Sequence, residues 1–89
     1  MQVLKKPKAI TLYSRALCGW CIDAKQWLDR MGWAYEIRDT GKDPSASQKA
    51  IELSGQSLVP VIEVDGIVLG DFDTGQLEDF LKEHGYLGQ

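Results

Sequence analysis

Cys18 and Cys21 are the only cysteines of the chain and stand three positions apart in "LCGWCIDAKQWL", residues 17 to 28. Sulfur at that spacing does two kinds of chemistry: it holds a metal, or it exchanges disulfides. A structural zinc site takes four ligands, usually two such pairs or one pair with two histidines, and this chain adds only the distant His84 to its one pair. A redox pair asks for less. One thiol must be exposed and acidified at a helix N-terminus, and the other must sit one turn inside, placed to attack the mixed disulfide that the first one forms. The spacing predicts Cys18 at the first helical positions, where unpaired backbone N–H groups and the helix dipole favour a thiolate, and Cys21 a turn later against the core.

The elements around the pair are readable from apolar periodicity. "AITLY" (9–13) is rich in β-formers and predicts a buried strand, which gives way to a loop at Ser14 and Arg15. After the loop, Ala24, Trp27, Leu28 and Met31 recur at three- and four-residue spacing, one face of a helix that Gly32 ends. "WAYEIRD" (33–39) alternates as a second strand, and Pro44 in "TGKDPSAS" suits the start of a short helix over Ser45 to Leu53, closed by Gly55. In "LVPVIEVDGIVL" (58–69) two β-branched runs flank Asp65-Gly66, the strongest short hairpin signal. Asp73 and Gln76 then have the spacing of a capping box ahead of the apolar stripe Leu77, Phe80 and Leu81. The order is βαβαββα. A right-handed first crossover makes strands 1 and 2 parallel and puts the antiparallel hairpin at the other edge of a four-stranded mixed sheet flanked by three helices, an α/β fold.

With 89 residues, 44% hydrophobic and 26% charged, and a formal net charge of -3, the chain is predicted to form a single globular domain over 1–89 with its core at about 9–84. No basic cluster of the kind that grips a phosphate backbone is present; Lys5, Lys6 and Lys8 around Pro7 read as a solvated lead-in, so no nucleic-acid partner is expected. No segment approaches the ~20 apolar residues that span a bilayer, and the first residues lack the ~7–15-residue apolar run of a secretory signal, which points to a cytoplasmic protein without a membrane partner. In a reducing cytosol a paired sulfur is read as redox-active or metal-binding before it is read as structural.

Three separated motifs in order, "SRALCGWC", "SGQSLVPVIEVDG" and "GDFDTGQL", resemble the glutaredoxins, and the resemblance covers about residues 9 to 84. It implies a thioredoxin-like fold and a glutathione-dependent thiol–disulfide oxidoreductase that reduces protein disulfides and protein–glutathione mixed disulfides. Cys18 carries over as nucleophile and Cys21 as resolving cysteine. Arg15, three positions before the nucleophile, would lower its pKa and attract a glutathione carboxylate. Trp20 would offer an apolar wall. Pro60 would follow a cis bond, with the backbone of Val59 offered to the cysteinyl part of glutathione as an open strand edge. Asp73 and Thr74 would hold the γ-glutamyl end at a helix N-terminus, and Asp73 also serves as the cap of that helix. The expected partners are glutathione and disulfide-containing or glutathionylated proteins, met by a monomer that uses glutathione as co-substrate and no metal.

Several positions depart from the family pattern. Gly19 and Trp20 stand where Pro and Tyr are most frequent, Asp71 stands where glycine is usual, and Thr74 replaces an aspartate. Relatives with Gly after the first cysteine include proteins that bridge a [2Fe-2S] cluster between two subunits with glutathione as additional ligand, which would make Cys18 a cluster ligand in a cluster-binding or cluster-transfer protein. The changes at Asp71 and Thr74 also admit a glutaredoxin-shaped protein reduced by thioredoxin reductase.

Overall fold

The computed structural model describes residues 2–88. Its elements are β1 (Ile10–Ser14), α1 (Gly19–Met31), β2 (Glu36–Asp39), α2 (Pro44–Ser54), β3 (Val61–Val64), β4 (Ile67–Gly70) and α3 (Thr74–Glu83). The sheet order is β2-β1-β3-β4, with β2 parallel to β1 and the β3–β4 hairpin antiparallel at the other edge, as the crossover rule requires. Asp65 and Gly66 close the hairpin with φ of 49° and 87°, the two left-handed conformations that a two-residue turn between right-twisted strands demands.

Side-chain alternation divides the core between the two faces of the sheet. Leu12, Ile62 and Val64 face α1 and α3, where Ala24, Trp27, Leu28, Leu77, Phe80 and Leu81 bury their stripes. On the opposite face Tyr13 and Val61 pack under Ala46 and Ala50 of α2. Helix boundaries follow local chemistry. Asp43 caps α2 by accepting from the Ser45 N–H, with Pro44 in the first turn, and Asp73 and Gln76 form the reciprocal capping box of α3.

Several features depart from the periodicity, besides one-residue shifts at the ends of α2, which runs from Pro44 to Ser54. The second strand starts at Glu36 and not at Trp33, because residues 33–35 complete the end of α1: the Trp33 N–H donates to the Leu28 carbonyl, its ring meets Trp27 edge-on at 5.7 Å, and the Tyr35 hydroxyl donates to Asp29. β1 extends through Ser14, which is buried. β3 begins at Val61 because Leu58 has its backbone groups engaged by the Gln56 side chain and not by a strand. Finally, the segment carrying the lysines is docked. Leu4 and Lys5 donate backbone hydrogen bonds to the Tyr86 carbonyl, and Gly88 donates to Gln2. Lys5 Nζ lies 4.5 Å from the centre of the Tyr86 ring. Pro7, Tyr86 and Leu87 are buried, so the packed core reaches past residues 9–84 at both ends. Asp65 anchors this clasp by accepting from the backbone N–H groups of Lys8 and Ala9 and from the Tyr86 hydroxyl.

Candidate active site

β1 delivers the chain to the C-terminal edge of the sheet, and the loop after it turns into α1 at Cys18. Leu17 makes the turn with φ of 61°, left-handed backbone in a residue that rarely adopts it, and its side chain is fully exposed. Cys18 is the N-cap of α1, one position ahead of the expected first helical residues. Its Sγ accepts from the Cys21 N–H at 3.2 Å, a role that a serine or aspartate oxygen usually fills. The Gly19 and Trp20 N–H groups have no acceptor among the described residues, so the sulfur sits at the open, positive end of a 13-residue helix.

Cys18 and Cys21 form a disulfide across 5.2 Å between Cα atoms. The two sulfurs are not equivalent. Cys18 is half-exposed, whereas Cys21 is wholly buried on the inner face of α1. Any partner sulfur must therefore meet Cys18 first.

The second motif meets the first at Val59, whose carbonyl lies 3.9 Å from Cys18 Sγ, and the Val59–Pro60 peptide bond is cis. The Val59 N–H has no acceptor among the described residues. The third motif joins through Asp71, whose N–H donates to the Pro60 carbonyl at 2.8 Å. Asp71 itself has φ of 49°, which explains why glycine suits the position; an aspartate tolerates it at some cost. Two residues on, the Asp73 carboxylate is committed to the Gln76 N–H, while the Thr74 and Gly75 N–H groups point out of α3 without acceptors among the described residues.

Cys18, Cys21, Val59 and Pro60 are thus brought together, and Asp73 and Thr74 adjoin them through Asp71. Arg15 and Trp20 are exposed on either side of Cys18. Three residues near the thiol were not singled out by sequence. Leu17 and Leu58 are large, apolar and exposed beside Cys18 and Val59, and no periodicity marks them because neither lies in a regular element. Gln56 was legible only as part of a motif. Among the described residues no three His, Cys, Asp or Glu side chains converge as a metal site, and each chain offers one accessible sulfur, so a cluster held here would draw its other ligands from outside the chain.

The family model for glutaredoxin matches residues 10–69. A glutaredoxin of Ricinus communis is 33% identical over 92% of this chain and 90% of its own length. Among solved structures, the thioredoxin-like protein BC3987 superposes with a TM-score of 0.73 at 28% identity, covering 81% of this chain and 99% of that one. The glutaredoxin of Brucella melitensis superposes with a TM-score of 0.69 at 27% identity, covering 90% and 88%.

Proposed function

The chain belongs to the glutaredoxin family, whose members are in general thiol–disulfide oxidoreductases, and we propose that it uses glutathione to reduce protein–glutathione mixed disulfides and protein disulfides through Cys18. One observation carries this reading: a half-exposed sulfur caps a helix N-terminus and is bonded to a buried sulfur one turn inside.

With the pair reduced, the Cys18 thiolate attacks the glutathione sulfur of a mixed disulfide. The protein thiolate leaves and takes a proton, and Cys18 is left joined to glutathione. A second glutathione thiolate attacks the glutathione sulfur, releasing glutathione disulfide and the Cys18 thiolate, so two electrons pass from two glutathiones to the substrate. With a protein disulfide, Cys18 joins one substrate sulfur and the other leaves as thiol. Cys21 then attacks Cys18, frees the second substrate thiol and closes the Cys18–Cys21 bond, which two glutathiones reopen.

In this reading the cysteinyl backbone of glutathione pairs with the N–H and carbonyl of Val59, beside Pro60. The open N–H groups of Thr74 and Gly75, with Asp73 holding the helix end, receive the γ-glutamyl carboxylate. Arg15 takes the glycyl carboxylate and Trp20 walls the apolar side. The protein acts as a cytoplasmic monomer.

Turnover of a glutathionylated peptide with glutathione and glutathione reductase tests the proposal, run beside an assay coupled to thioredoxin reductase. Activity in the second assay alone assigns the electrons to thioredoxin reductase. Purification without oxygen in the presence of iron and glutathione tests the cluster alternative: a brown dimer that loses colour in Cys18→Ser, with little turnover, replaces the redox reading.

A further inference from the structure

Between α2 and β3 the chain must turn in six residues, 55–60, and still present Val59 to Cys18. A segment this short has no strand beside it to satisfy its backbone, and a loose loop would offer its N–H and C=O groups in several places. One side chain closes the question. The Gln56 amide reaches two residues along and bonds both backbone groups of Leu58: Oε1 accepts from the Leu58 N–H, and Nε2 donates to the Leu58 carbonyl at 3.0 Å. The second Nε2 hydrogen goes to Ser54 Oγ at 3.2 Å, and the single Ser54 hydroxyl hydrogen lies between the carbonyls of Ala50 and Gln56, at 2.7 and 3.0 Å from Oγ, tying the unit to the last turn of α2.

The donor inventory fixes which way round the amide lies. Turned over, it would set a second donor against the Leu58 N–H and an oxygen against the Leu58 carbonyl. No apolar side chain of the same length satisfies either group. β4 makes room for the unit: a Cβ at Gly70 would stand 2.9 Å from both Gln56 Nε2 and Ser54 Cβ.

Val59 is thereby bracketed. Leu58 has no free backbone group, Pro60 has no N–H, and the Pro60 carbonyl is held by the Asp71 N–H at 2.8 Å. An extended substrate backbone meets unsatisfied partners at Val59 and at neither neighbour. From this we infer that Gln56 is a positioning residue that sets the register in which a substrate backbone docks beside Cys18, an inference that rests on the proposed exchange at Cys18. The substrate class is an extended peptide or peptide-like thiol adduct, in which the sulfur-bearing residue itself supplies the paired N–H and C=O.

The test uses the full chain with Gln56→Met and Gln56→Glu. Two substrates are followed, a glutathionylated peptide with glutathione and insulin disulfides with dithiothreitol, together with the rate at which iodoacetamide alkylates reduced Cys18. In Gln56→Met the KM is expected to rise about tenfold, the effect of freeing a mobile backbone pair, while kcat and the alkylation rate stay within about twofold. Gln56→Glu adds a signature that a general loss of structure would not give. As a carboxylate it opposes the Leu58 carbonyl; protonated, it can donate to that carbonyl and accept from the N–H, so its KM relative to wild type should fall toward one as the pH is lowered through the carboxyl range. A folded Gln56→Met with unchanged KM on both substrates overturns the inference, as does a Gln56→Glu deficit that ignores pH. Insulin reduction without turnover of the glutathionylated peptide in the wild type would refute the glutathione reading and leave the Gln56 comparison to be made on insulin.

Discussion

The N–H of Cys21 points at Cys18 Sγ from 3.2 Å, so the buried cysteine holds the sulfur of the half-exposed one at the end of the helix whose interior it occupies. When the disulfide is reduced, that N–H and the open first turn remain to stabilise negative charge on Cys18.

Cys18 is therefore expected to ionise below the ~8.5 of a free thiol. Alkylation rate followed against pH should show a low midpoint for Cys18 and slow reaction at buried Cys21. Arg15→Gln should move the midpoint upward, since it removes the one cation within three positions of the sulfur. A midpoint at the free-thiol value, with both cysteines equally reactive, would take away the physical basis of the proposed exchange.

The two cysteines should separate cleanly by substitution. Cys18→Ser leaves no accessible sulfur and should abolish activity toward every disulfide. Cys21→Ser should still turn over glutathionylated peptide, because that cycle uses one protein sulfur, but should stall on protein disulfides. Mass spectrometry of the stalled Cys21→Ser protein should find substrate joined to Cys18.

At the third motif, Asp71→Gly removes a negative charge and replaces an L-residue at φ of 49°. Glutathione should bind more tightly, by up to about fivefold at low salt and less at high salt. Stability should change by less than ~1 kcal/mol, since the relief of left-handed strain is offset by the greater freedom of glycine in the unfolded chain. Asp73→Ala should weaken binding and cost about 0.5–2 kcal/mol through the lost capping box, readable separately by calorimetry and by urea unfolding.

The terminal clasp predicts how stability depends on pH. The Tyr86 hydroxyl, then the Ala9 and Lys8 N–H groups and the Lys5 charge, hold Asp65 below the usual carboxylate range against its desolvation. The hydrogen bond to Asp65, with burial, pushes Tyr86 up to about 12. A lowered acid contributes stability above its unfolded pKa of ~3.9 and loses it as pH falls through the folded value; a raised phenol contributes below ~10 and loses it as pH rises toward 12. Tyr86→Phe should therefore cost on the order of 1 kcal/mol from about pH 5 to 9, and the difference from wild type should shrink toward both extremes. Urea midpoints across the range would show it; a difference that does not vary with pH would mean the hydroxyl contributes only shape.

Periodicity located the helices and the two central strands because each buries one regular face, marked by Trp27 and Leu28, Leu77 and Phe80, Ile62 and Val64; the edge strands β2 and β4 bury none of their residues fully and were found from alternation and the Asp65-Gly66 turn. It failed where side chains act outside that geometry. Trp33 alternates with Tyr35 as a strand would, yet both finish α1. Tyr86 and Leu87 are core residues with no repeat around them, and the lysines before β1 hide a backbone that pairs with theirs. At the site the sulfurs were legible from spacing alone, and the resemblance supplied Val59, Pro60, Asp73 and Thr74. The Gln56 bonds were not legible, since a side chain imitating a strand leaves no pattern. Nor was the left-handed Leu17, a residue type that gives no warning of such backbone.

The contrast in burial between Cys18 and Cys21 also governs what an oxidant can do. Peroxide reaching the half-exposed Cys18 thiolate would convert it to a sulfenic acid, and further oxidation to the sulfinic acid is irreversible by thiols. Cys21, shielded from peroxide and one helical turn away, condenses with the sulfenic acid and expels water. The product is the same Cys18–Cys21 bond that, in the proposed exchange, ends reduction of a protein disulfide, so oxidative injury would return to that cycle as its ordinary oxidised form.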